Sequence, residues 1–310
     1  MAHLYKRIGL QINIKKTEVM QFKVEQEEEE RITLLGEDLK NVSCFRYLGS
    51  NISANCNLDD EICFRIGQAT AAFGRLNKRV FTNHDLSLET RIMVYQAVCI
   101  SSLLYCSESW TLYRRHIKLL ERFHMTSLQK ILGITWRDKI PHRSILAKTK
   151  CPSLECLLKR NQLRWIGHVI RMPDNRLPKQ LLYGELSEGW RSLGGQLKRY
   201  KDSTKATMKA CHIPANELEE LVQDRSAWRS TVSTGLGRFE DERNAWLDAR
   251  REKRHERGTL PTNTNTILCP ECGREFAAQI GLRSHLRAHQ RRRQAGQDGR
   301  AVIFDTEGPP

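Results

Sequence analysis

The spacing Cys269-x2-Cys272-x12-His285-x3-His289 constrains this 310-residue chain more tightly than any other feature. Two cysteines three positions apart suit the turn of a short hairpin, and two histidines four apart share one face of a helix. Together the four donors can close a tetrahedron around one ion, and thiolate with imidazole is a donor set that suits Zn²⁺. Phe276 lies four residues after the second cysteine and Leu282 three before the first histidine, the two apolar side chains such a mini-core uses. A unit this small takes its folding free energy largely from the metal.

From Cys269 to His289 the segment resembles the C2H2 zinc-finger family. The resemblance implies a ββα unit with one structural Zn²⁺ held by Cys269, Cys272, His285 and His289. In that family the base-reading positions fall at −1, 3 and 6 of the helix. Here they are Ala278, Gly281 and Ser284, none of them a long bidentate donor. Backbone contact by Arg283, Arg287 and Arg291–Arg293, or contact with proteins, is expected in place of sequence reading.

Charge is the second constraint. Between Thr111 and Ala210 stand 22 Lys and Arg against 7 Asp and Glu, which accounts for the whole net charge of +15. A localised surplus of this sign suits a polyanion, because each neutralised phosphate releases condensed counterions. Helical periodicity places Leu154, Leu158, Trp165 and Val169 toward a core, with Arg160, Arg164, His168 and Arg171 beside them. Over Gln196–Cys211, the residues Leu197, Tyr200, Thr204, Met208 and Cys211 form an apolar stripe and Lys198, Lys201, Lys205 and Lys209 a basic one. These two rows predict a nucleic-acid surface, RNA or DNA, contacted mainly at the phosphates.

No uninterrupted apolar run reaches the length a spanning helix needs, and MAHLYKRIGL lacks the apolar stretch of a signal peptide. A soluble intracellular protein without a membrane partner is expected. Of ten cysteines, eight lie outside the finger without repeating spacing and read as buried free thiols. His116, His124, Cys151 and Cys156 lack a second pair at ligand spacing, so core or surface roles are expected for them.

The fold class read from the sequence is mostly α, with a short N-terminal β segment and a small ββα finger. Strands are expected at Gly9–Ile14, Val19–Val24, Ile32–Leu35 and Val42–Leu48, with an acidic tip at Gln26–Glu30. From Leu58 a core stripe runs through Ile62, Ile66, Ala69, Phe73, Leu76 and Val80, with Asp59, Asp60 and Glu61 near its N-terminus. Further helices are expected at Ser87–Cys106, Leu112–Leu132 (closed by Gly133), Ser153–Met172, Gln196–Cys211, Pro214–Val232 and Phe239–Arg257, with Asp174–Gly195 irregular. The domains are then 1–55, β-rich; 56–257, helical; 258–268, a linker; 269–290, the finger; and 291–310, a disordered tail.

An ordered series of short segments carries a second resemblance: Gly9-Leu-Gln-Ile-Asn13, Phe45-Arg-Tyr-Leu-Gly49-Ser50, Leu104-Tyr105, Ile131-Leu-Gly-Ile-Thr-Trp136, Arg164-Trp-Ile-Gly-His168, Lys198-Arg-Tyr-Lys-Asp202 and Trp228-Arg229. Over roughly residues 5–230 the chain is similar to the C-terminal part of non-LTR (LINE-type) retrotransposon reverse transcriptases. The similarity implies the end of a palm, a thumb and a basic connector that handles nucleic acid in the nucleus. The family's catalytic aspartate box lies upstream of the Gly9–Asn13 segment, and two-metal nucleotidyl transfer needs those carboxylates. The one adjacent pair, Asp59-Asp60, reads as helix N-terminal charge. A non-catalytic, zinc-containing nucleic-acid binder from a truncated element is therefore expected. Its alternatives are the C-terminal fragment of an active RNA-directed DNA polymerase encoded upstream and a protein-interaction module.

Overall fold

In a computed structural model, the described residues are 5, 7–21, 31–34, 36–184, 198–259, 267–276 and 278–298. They are mostly helical, with a few two- to four-residue strands. Two units can be distinguished, residues 1–245 and 246–310.

The N-terminal strands are shorter than expected. β1 (Glu18–Val19) pairs in parallel with β4 (Lys40–Asn41), and β2 (Thr33–Leu34) pairs antiparallel with β3 (Glu37–Asp38). Gly9–Ile14 is not a strand: its end turns into a short 3-10 helix, Ile14–Lys16. The acidic stretch Gln26–Glu30 lies outside the described residues. β5 (Cys44–Tyr47) and β6 (Ser50–Ser53) form the longest hairpin. Its two-residue turn needs positive φ at both central positions, and Leu48 and Gly49 adopt φ of 47° and 85°.

α1 (Asp59–Leu76) buries Ile62, Ala69 and Phe73, as its periodicity predicts. Wider turns then carry the chain through Asn77–Phe81. α2 (Leu88–Val94), capped by the Ser87 hydroxyl, continues helically to Leu103. α3 (Arg114–Leu132) ends at Gly133, whose φ of 67° gives the left-handed stop the sequence predicts. α4 (His142–Thr149) packs on α3. Phe73, Phe81, Tyr95, Leu128, Ile131 and Ile145 form one cluster between these helices; Ile62, Leu103, Trp110, Leu120, Leu154 and Leu158 form a second.

α5 (Leu154–Ile170) is capped by the Ser153 hydroxyl. α6 (Leu177–Tyr183) lies where an irregular segment is expected, while residues 185–197 lie outside the described residues. α7 (Tyr200–Ala210) begins four residues later than expected and packs on α5 through a buried polar contact, Thr207 Oγ1 donating to Gln162 Oε1 at 2.6 Å. α8 (Leu218–Gln223) precedes α9 (Arg225–Thr259), one helix where two are expected. Its N-terminus is fixed by Asp224, whose carboxylate accepts the Ser226 and Ala227 N–H groups.

Between the two helices expected here, Gly235 is required by packing. A Cβ on Gly235 would stand 2.5 Å from the Cys211 carbonyl, so the helix comes against that turn at a position that carries no side chain. Gly167 does the same on α5, where a Cβ would meet the Trp228 indole at 2.2 Å. Trp228, Val232 and Leu236 close the third cluster with Leu163, Ile166, Met208 and Val222.

Cys99, Cys151, Cys156 and Cys211 are buried thiols as expected, but Cys44, Cys56 and Cys63 are exposed and Cys106 is half-buried. No described helix is long and apolar enough to cross a membrane. His116 and His124 are core residues. His116 Nδ1 accepts the Tyr113 N–H, leaving Nε2 to donate to Asp59 Oδ1 at 2.7 Å. His124 Nδ1 meets Tyr95 Oη at 2.9 Å, and burial, partly offset by the Pro152 carbonyl, pushes its imidazole down to about 4.

That depression makes folding acid-sensitive. The unfolded chain takes up the His124 proton near the ordinary histidine value, while the folded chain holds out to about 4. The stabilisation is complete above the unfolded value and declines as pH falls through the window, by up to about 3 kcal/mol. Urea melts between pH 7 and pH 4 should show a flatter pH profile for His124→Asn than for the parent chain; equal slopes would refute the assignment.

Candidate metal centre and cationic surfaces

The four residues that could hold a metal ion stand on a hairpin and a helix. β7 (Ile267–Leu268) pairs antiparallel with β8 (Glu275–Phe276), which brings the Cys269–Arg274 turn to one end. Gly273, at φ 70°, donates its N–H to the Cys269 carbonyl at 2.9 Å, and Cys269 donates to the Arg274 carbonyl at 2.9 Å. α10 (Gln279–Asp298) carries His285 and His289 on one face. The helix runs on past residue 291, where a tail is expected, while residues 299–310 lie outside the described residues. Of the expected linker, Thr259 ends α9, Ile267–Leu268 forms β7, and 260–266 lie outside the described residues.

The four ligand atoms all lie within 4.8 Å of one another. His285 Nε2 stands 3.0 Å from Cys272 Sγ and 2.9 Å from His289 Nε2. In a tetrahedral site with metal–sulfur bonds of about 2.3 Å and metal–nitrogen bonds of about 2.0–2.1 Å, adjacent donors are about 3.3–3.8 Å apart. A small expansion accommodates an ion, and the donors fit one. Burial would raise the Cys269 thiol, but the Glu271 and Cys272 N–H groups and the Cys272 thiol outweigh it, so its pKa is lowered, toward the thiolate a metal requires. Phe276 packs against His285 with ring centroids 4.8 Å apart.

Sequence reading missed Glu271. Its carboxylate lies 3.4 Å from His289 Nδ1 and 3.0 Å from Arg293 Nη2. A proton held on Nδ1 would leave the Nε2 lone pair free for an ion, the usual role of an outer carboxylate on a ligating histidine. No spacing rule signals it, because the contact joins the turn to a helix eighteen residues away. Arg293, expected on a phosphate, is instead engaged by Glu271. Arg283 and Arg287 are exposed, as are Ala278 and Ser284, while Gly281 sits against Phe276.

The basic rows of the larger unit do not make one surface. Arg160 and Arg164 are exposed on α5, but at about 100° per residue they lie opposite Gln162, the residue that contacts α7. Arg171 is half-buried, with Nη1 donating to the Val222 carbonyl at 2.9 Å. His168 is exposed and lies against Trp165. Lys198 precedes α7 rather than continuing its stripe, and its ammonium donates to the Leu112 carbonyl at 3.1 Å. Lys201 is half-buried; Lys205 and Lys209 are exposed.

The chain is 25% identical over 236 residues, 73% of its length and 83% of the relative's, to an uncharacterized transposon-derived protein of Caenorhabditis elegans. No family model matches the chain, and no solved structure matches it.

Proposed function

We propose that this is a zinc-binding, nucleic-acid-binding protein derived from a retrotransposon reverse transcriptase, acting on RNA or DNA in the nucleus without polymerase chemistry of its own. The observation that carries the reading is that much of the basic surplus is left unspent. Arg160, Arg164, Lys205 and Lys209 are exposed, and none has a carboxylate partner among the described residues. Similarity to a transposon-derived protein supports the origin. The Cys2His2 donor set supports Zn²⁺ over harder ions, which prefer oxygen ligands.

Affinity for duplex DNA and structured RNA should fall steeply with salt. On duplex DNA, each phosphate that is no longer neutralised lowers the slope of log K against log salt by about 0.9. Lys205→Glu with Lys209→Glu is therefore expected to flatten it by about two such steps. A parent slope near zero would sink the proposal.

The absence of polymerase chemistry is tested separately. Asp59 is held by His116 and by Arg115 Nη2 at 2.8 Å, which lower its pKa together with the Asn57 amide, the largest contributor. It is a structural carboxylate, not one of an open metal-binding pair. Primer extension with Mg²⁺ should stay blank, and template-dependent synthesis would overturn the point.

A further inference from the structure

A cleft of about 770 Å³ opens between α5 and α9 within the larger unit. Its floor is apolar, formed by Cys156, Leu157, Val232 and Leu236; burial pushes the Cys156 thiol up to about 11, so the floor stays neutral. Five arginines line it: Arg160 and Arg164 from α5, Arg171 at the end of that helix, and Arg225 and Arg229 from α9. Glu240, the one acid lining it, already accepts the Ser153 hydroxyl and lies 3.9 Å from Arg243.

Two rows of like charge facing each other oppose the packing of the helices that carry them. Burial and Arg225 both depress the Arg171 guanidinium, a sign that the rows feel one another. Arg160, Arg164, Arg225 and Arg229 are exposed and have no carboxylate partner among the described residues. Such an arrangement is relieved by an anion that bridges the rows. The guanidinium plane suits phosphate, which it grips with two parallel N–H groups.

The floor says what the anion is attached to. A bare phosphate gains nothing from apolar side chains, whereas a nucleobase gains both burial and stacking against a guanidinium. Bases in a duplex are stacked inside and cannot reach the floor. An amphipathic acidic helix would also match the charge. Such a helix would lay one apolar face in the groove, however, and its aliphatic side chains offer no flat ring to stack on a guanidinium. The cleft's volume lies within the range of small-molecule sites, which one or two nucleotides can fill.

Building on the nucleic-acid reading above, we propose that this cleft binds a single-stranded segment, its phosphates bridging the two arginine rows and one unstacked base resting on the apolar floor. Ser233, exposed at the cleft, allows the floor to be filled without altering a charge. With the full chain and fluorescein-labelled oligonucleotides, Ser233→Trp is expected to weaken single-stranded RNA or DNA binding by about tenfold or more. Affinity for the matching duplex should stay within about twofold, since duplex contacts are made at phosphates. A strand carrying 2-aminopurine should brighten on binding as the base leaves its neighbours, and R225Q/R229Q should abolish that brightening even if Ser233→Trp does not fold.

If the parent chain binds neither strand form at low salt, the nucleic-acid reading fails and this proposal with it. If it binds both but Ser233→Trp changes neither, or changes both equally, the cleft assignment alone fails. Tight binding of an acidic amphipathic peptide, abolished in Ser233→Trp while oligonucleotide affinity is kept, would assign the cleft to a protein partner and overturn the proposal.

Discussion

If the four donors hold zinc as proposed, replacing Cys272 with serine, or adding a chelator, is expected to unfold the segment from Ile267 through His289. Among the described residues of the smaller unit, Cys269 alone is buried; Phe276, Leu282, His285 and His289 are half-buried. One hairpin of two-residue strands and one helix cannot offset the chain entropy of about 20 ordered residues at about 1–2 kcal/mol each. Zinc supplies about 10–16 kcal/mol of apparent folding free energy in peptides of this type. Nuclear magnetic resonance should show the dispersed resonances of Phe276 and Leu282 collapse on chelation and return on adding Zn²⁺. The melting of the larger unit should not move. Glu271→Gln should keep the fold at saturating metal but weaken affinity by about 10- to 100-fold, the usual cost of losing an outer-shell carboxylate. Retention of that dispersion in Cys272→Ser would mean the unit folds without the ion.

What was legible in the sequence was what repeats along a single element. The α1 stripe of Ile62, Ala69 and Phe73 is buried, the Gly133 stop is in place, and the four metal donors converge. What escaped was set by a second element. Periodicity gives an angle around one helix axis but not the direction of its neighbour, so it could not show that Arg171 turns to the Val222 carbonyl and Lys198 to the Leu112 carbonyl. Gly235 falls in the gap between two expected helices and shows its packing role only once Cys211 is seen against it, and Gly167 carries no meaning before Trp228 fills its space. β6 escaped because Ser50-Asn51-Ile52-Ser53 has no apolar alternation; only pairing with β5 makes it a strand. Glu271 escaped because an ion's outer contacts are made in space.

Glu61 shows how much can rest on such a contact, and Arg65→Met is expected to cost the larger unit about 3–5 kcal/mol. The sequence places Glu61 among three acids at the start of α1, where exposed charge favours the helix dipole. It is instead 1% exposed. Its carboxylate accepts Arg65 Nε at 2.7 Å, Ser50 Oγ at 2.8 Å and the Asn51 N–H at 2.7 Å. Arg65, 6% exposed, donates from Nη2 to the Gly49 carbonyl at 2.6 Å and lies 4.5 Å over the Tyr105 ring, whose hydroxyl reaches the Leu48 carbonyl at 3.0 Å. The pair therefore docks the β5–β6 hairpin on α1, a hairpin that buries no large apolar side chain of its own. Removing the arginine strands a buried carboxylate, and breaking a buried pair costs far more than replacing it whole. Glu61→Leu combined with Arg65→Met should therefore cost much less than the two single changes together. Hydrogen exchange should report the Asn51 amide as the first to lose protection in Arg65→Met. A double variant as unstable as the sum of its parts would mean that the two residues act separately and that the hairpin is held by something else.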